Sequence, residues 1–191
     1  MKGWRRKGDW LVAAVDAAEA SVLRDLVSQV LELLRQRDDE APTDELAELT
    51  GIRTGPATAP EDPVLHRLLP DFHRLDGEAG DLVGDDDAAN ADSAAALRSL
   101  HEPALLASKT SAANVVLATC PERGGKVSLD PDQASAWLSA LNDVRLSLGT
   151  RLGVTEDMPE QLPPEDPRAR HLVVYHWVTW CQDSLVQAVM R

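Results

Sequence analysis

The 191-residue chain is poor in cysteine, in aromatics and in long apolar runs, and each shortage removes a class of protein. Two cysteines, Cys120 and Cys181, are too few for a disulfide scaffold. One tyrosine, one phenylalanine and five tryptophans leave little of the aromatic content on which β-rich architectures draw. The apolar run near the N-terminus, residues 10–15 (WLVAAV), is bracketed by Asp9 and Asp16 and is too short for the core of a signal peptide. The segment 171–191 is interrupted by His171, His176, Gln182 and Asp183, so it does not read as a bilayer span. The expected location is the cytoplasm. Positive charge is scarce as well: 19 Lys and Arg face 32 Asp and Glu, a formal charge of −13. A uniformly acidic surface repels phosphate and disfavours non-specific nucleic-acid binding. The basic start, residues 1–7 (MKGWRRK), is a local exception.

What remains is rich in alanine and leucine, and 43% of it is hydrophobic, enough for a sizeable core and biased towards helices. Residues 4–15 read as a hairpin turning at Gly8. Asp16 and Glu19 form a capping-box pattern that starts a helix running to about Arg37. A short helix is expected over 43–50, stopped by Gly51, then a Gly/Pro/Thr-rich loop over 51–63 and two helical turns from Pro63. Residues 71–92 hold eight acids against the single Arg74, which predicts a mobile acidic insertion around 75–93. A helical pair split near His101-Glu102-Pro103 follows, because proline fits only the first turn of a helix. Residues 126–129 alternate and suit a third strand beside the hairpin. Asp130-Pro131-Asp132-Gln133 is a strong helix start, and that helix runs to Gly153. A proline-rich connector leads to the last helix, whose apolar residues fall on nearly every side. Such a helix belongs inside the fold or in an oligomer interface. The expected fold is mostly α: one domain over 1–191, about five helices around a buried C-terminal helix, with a small edge hairpin or three-stranded sheet.

Candidate chemistry is sparse. His171 and His176 are five apart, not the three or four that places two ligands on one helical face, and His176 reads as a hydrogen-bonded core histidine. The acidic runs 38–40 and 85–87 lack the alternating oxygens and central glycine of a calcium loop. Gly51, Gly55, Gly124 and Gly125 mark turns rather than a phosphate cradle. No nucleophile elbow or thiol-hydrolase order occurs. No catalytic, cofactor or metal residue is therefore assigned. Cys120, at a helix C-terminus, and Cys181, among tryptophans, read as buried small hydrophobes, the alternative being redox thiols brought together by the fold. Thr50-Gly51-Ile52 suggests a helix-turn-helix, but no basic second helix follows.

Five blocks carry a resemblance: residues 44–55 (DELAELTGIRTG), 63–74 (PVLHRLLPDFHR), 97–106 (LRSLHEPALL), 136–148 (AWLSALNDVRLSL) and 174–180 (VYHWVTW). They resemble an actinobacterial family of unknown function that includes an actinomycete oxidative-stress regulator. The resemblance implies a small cytoplasmic regulator linked to thiol redox balance and working through partner proteins. A stress sigma factor is one such partner, and neighbouring genes commonly encode a ClpS-type protease adaptor and a sulfur-carrier cysteine-synthesis system. This chain has no closely spaced cysteine pair and no N-terminal cysteine. The expectation is a non-enzymatic regulator acting by protein–protein contact, with homodimerisation among those contacts. Its expected docking surface is the loop at Thr50, Gly51, Ile52, Arg53, Thr54 and Gly55, where the competing reading is that Ile52 and Leu65 merely pin the loop to the core. An alternative is DNA binding through a basic arm at Arg5, Arg6 and Lys7. A third reading, a hydrolase or metal enzyme, requires His66, His73 or His101 to converge with a carboxylate.

Overall fold

A computed structural model describes residues 1–41, 53–71 and 86–191, the last range by backbone alone over 86–91. The expected helix 43–50 lies outside the described residues, as does most of the acidic insertion. Its residues 86–93 form the start of a helix. The fold is mostly α with a small sheet. In chain order the elements are β1 (Lys2–Lys7), β2 (Trp10–Val15), α1 (Ala17–Asp39), α2 (Pro63–Leu68), α3 (Asp86–Thr119), β3 (Gly125–Leu129), α4 (Pro131–Leu152) and α5 (Ala169–Val189). The sheet is antiparallel in the order β1-β2-β3, so the alternating segment does add a third strand to the hairpin.

Local signals set several boundaries. The Asp16 carboxylate accepts from the Glu19 N–H while Glu19 reaches back to the Asp16 N–H, both at 2.9 Å, closing the expected capping box of α1. Asp130 and Gln133 do the same for α4, with Pro131 in the first turn. That helix stops at Gly153, whose φ of 63° only glycine adopts without strain. Arg24 of α1 donates to the Cys120 carbonyl (2.8 Å), satisfying an orphan acceptor at the C-terminal end of α3.

Two expectations fail, each for a reason that lies elsewhere in the chain. The break at Pro103 does not occur: α3 runs unbroken through it. A proline has no N–H for the carbonyl four residues back, here that of Ser99. That carbonyl accepts instead from the Gly55 N–H at 2.8 Å. Gly55 lies so close that a Cβ there would meet Pro103 at 3.1 Å, so the loop fits the helix as a plug.

The centre of the fold is also not the C-terminal helix. α4 holds it, packed against α1, α2, α3 and α5, with Trp137 and Leu141 fully buried. α5 packs against α4, burying Leu172, Val178, Cys181 and Leu185 along its length, and lies beside β1 on a second side, where Trp180 approaches Gly3. A third side stays in solvent, with Val173 69% exposed. Among the described residues, no helix is long and apolar enough to cross a membrane.

Candidate functional site

The loop 53–62 and α2 are held down by charges buried beneath them. Glu102 is fully buried on α3 and takes a hydrogen bond on each carboxylate oxygen: Arg37 Nε at 2.6 Å and Arg98 Nη1 at 2.8 Å. Both arginines are buried too. Arg37 also donates to Glu40 (2.6 Å) at the end of α1 and to the Thr58 carbonyl in the loop. Arg98 donates to Asp71 and, at 3.4 Å, to the Leu69 carbonyl beyond α2. Burial works against the Arg37 charge, but the hydrogen bonds and charges of Glu102 and Glu40 outweigh it and hold its pKa above the ordinary value. Five charged side chains thus tie α1, α3, the loop and α2 together. None of this is visible in a one-dimensional reading.

Beside the network, α3 and the end of α1 border an open groove of about 600 Å³. Pro103, Leu106 and Ala107 form an apolar floor, and Thr110, Ser111 and Asn114 supply polar atoms. Arg53 stands at one end, 3.6 Å from Asp38. Both partners are exposed, so the pair adds little stability and Arg53 remains accessible to a ligand.

Of the six residues expected to dock a partner, Thr50, Gly51 and Ile52 lie outside the described residues. Arg53 is exposed at the groove, Thr54 is half-buried, and Gly55 is buried against Pro103. Arg5, Arg6 and Lys7 belong to the paired strand β1 rather than to a free arm. Arg6 hydrogen-bonds the Val189 carbonyl at the end of α5 (3.3 Å). His66 lies 3.9 Å from Asp71 at the surface, His101 is exposed, and His73 is outside the described residues. Among the described residues, no three His, Cys, Asp or Glu side chains are grouped to hold a metal ion. His176 is not a core residue: it is exposed and its Nε2 donates to the Glu160 carbonyl (3.2 Å).

Cys120 and Cys181 are both buried free thiols. Burial raises the Cys120 pKa, opposed by Arg24. Burial pushes the Cys181 thiol up to about 12, and its Sγ lies 3.5 Å from the Met1 sulfur. A shift of that size cuts the thiolate fraction at neutral pH on the order of a thousandfold, and the thiolate is the reactive form. Cys181 in native protein is therefore expected to react with iodoacetamide at least on the order of a hundredfold more slowly than in denatured protein, and Cys120 more slowly as well. Mass spectrometry of the alkylated peptides reads this out, and rapid native labelling of either cysteine would show that it opens to solvent.

The chain belongs to the family described as Domain of unknown function (DUF2017), which matches residues 1–189. Relatives in Mycobacterium tuberculosis and Mycobacterium bovis, each named "Oxidative stress regulator AosR", are 43% identical over 189 residues, covering 97% of this chain and 84% of the relative. No solved structure matches it.

Proposed function

We propose that this chain is a non-enzymatic cytoplasmic regulator of the oxidative-stress response that works by contacting other proteins. The observation that carries the reading is the 43% identity, over 97% of the chain, to relatives named as oxidative stress regulators. The partner in this reading is a stress sigma factor or a component of the protease-adaptor system, and a second copy of the chain is a further contact. The accessible Arg53 and the groove beside it support the loop as one place of contact. The buried, neutral thiols favour a protein that relays oxidative stress through its partners over one that senses it with its own dithiol.

The test is complementation. An actinobacterial strain lacking its own homologue receives this chain, or the Cys120→Ser/Cys181→Ser variant, and is challenged with peroxide. Both forms are expected to restore survival and the induction of thiol-stress transcripts, and the sigma factor is expected to co-purify with both. Survival and transcripts indifferent to the chain would sink the reading. Restoration by the parent alone would return the switch to the thiols.

A further inference from the structure

The solvent face of the small sheet is basic in a chain of formal charge −13. The strand register arranges it in three rows. Lys2, Ala14 and Lys126 stand opposite one another across the three strands, as do Arg5, Val12 and Ser128, while Lys7 faces Trp10. Directly opposed residues share a face of the sheet, and the alternate residues Leu11, Ala13, Val127 and Leu129 are buried in the core. All four cations are exposed, and none forms an ion pair among the described residues. Trp10 is 50% exposed. Lys7, Trp10, Val12, Lys126 and Ser128 line a concavity of about 370 Å³.

The acids next to these strands are turned to other work. Asp16 caps α1 and Asp130 caps α4, each carboxylate receiving a helix N–H. Asp9, in the hairpin turn, lines a separate hollow with Arg6, Leu11 and Val189. The four cations of the face outnumber the carboxylates that border the strands, Asp9, Asp16 and Asp130, so the face stays basic locally, and charges farther away than about 8 Å are largely screened at physiological ionic strength.

We infer that this face docks a short acidic segment of a partner protein, with an apolar side chain of that segment seated on Trp10 and Val12 and its carboxylates on Lys2, Arg5, Lys7 and Lys126. The inference rests on the reading of the chain as a partner-binding regulator and names the chemistry of one partner surface. Three strands span about 10 Å and five residues about 17 Å, the footprint of a peptide several residues long. A nucleic-acid strand fits less well. It runs beyond so small a face on to acidic surface, and surfaces that bind single strands offer several aromatics for successive bases, where this one offers Trp10 alone.

The experiment is selection of a random twelve-residue peptide display library on the full chain, with counter-selection on Arg5→Glu/Lys126→Glu. Synthetic copies of the enriched peptides are then measured by fluorescence anisotropy at two salt concentrations. Enriched peptides should combine several Asp or Glu with an aromatic or aliphatic residue. Their affinity should fall at least tenfold in the charge-reversed variant, severalfold in Trp10→Ala, and with rising salt. Circular dichroism and melting curves confirm that both variants, altered only at exposed positions, remain folded. The inference is overturned by an absence of enrichment, by peptides without acidic bias, or by acidic peptides that bind the charge-reversed variant equally well. It is equally overturned if a twelve-nucleotide single strand binds the face more tightly than any peptide, or if sedimentation shows a dimer that the charge reversal dissolves. These measurements do not depend on the peroxide response, so failure here leaves the complementation result to stand or fall by itself.

Discussion

Glu102→Gln is expected to lower the unfolding free energy by about 3–5 kcal/mol, the cost of breaking a buried ion pair by removing one partner. The substitution keeps the shape and one acceptor oxygen but removes the negative charge between two buried guanidinium groups. Arg37 then retains Glu40 and Arg98 retains Asp71, yet both of those carboxylates are more than half exposed and screened by water. The loss should show as a lower denaturation midpoint at unchanged slope, since the folded shape is kept. Native-state hydrogen exchange should accelerate first at Gly55 and around α2, the parts that the two arginines anchor. Replacing Arg37, Arg98 and Glu102 together by Leu or Met removes the stranded charges and should recover part of the loss. Recovery stays partial because the Thr58 and Leu69 carbonyls would lose their donors. A change below about 1 kcal/mol in Glu102→Gln would mean that water reaches the network and that the charges are already solvated.

The same network shows where reading the chain in one dimension stops. Arg98 and Glu102 stand four apart on a helix, the spacing of an ordinary surface pair, and Arg37 lies in the last turn of α1, where a basic residue suits the helix dipole. Their burial depends on segments that fold over them from elsewhere in the sequence. The continuity of α3 through Pro103 is hidden for the same reason, since the rescue of the Ser99 carbonyl comes from Gly55. The helix starts at Asp16 and Asp130, by contrast, are written within four residues, and β3 follows from its alternation. For α5, apolarity on every side suggests a central position, although a helix flanked by α4 and by β1 needs apolar residues on two sides without being enclosed. The basic face was half legible. Arg5 and Lys7 fall on one side by alternation and the hairpin sets Trp10 opposite Lys7, but Lys126 joins them only once β3 is paired with β2.

Trp137→Ala is expected to cost a further case of about 3–5 kcal/mol, the usual range for deleting a fully buried large aromatic. With roughly 2–4 °C per kcal/mol for a chain of this size, the melting temperature should fall by about 6–20 °C. Trp137 joins three elements. It lies on α4, its ring meets Trp4 of β1 edge-to-face with centroids 5.3 Å apart, and its Nε1 donates to Thr119 of α3 at 2.7 Å. Trp137→Phe keeps a ring against Trp4 but loses the donor and part of the buried indole volume, leaving a small cavity. Thr119 still donates to the Val115 carbonyl (2.7 Å), so no donor is stranded and the cost should be nearer about 2–3 kcal/mol. The comparison with Trp10 then separates folding from recognition. Trp10→Ala, at an exposed position, should change stability by less than about 0.5 kcal/mol while weakening peptide binding. Trp137→Ala should loosen β1 through Trp4, so that amide exchange quickens in β1 and β2 and binding falls as a secondary effect. If Trp137→Ala left exchange in the sheet unchanged, β1 would owe its place to its backbone pairing and to the Trp4 N–H bond to Ser184 (2.9 Å) rather than to the tryptophan pair.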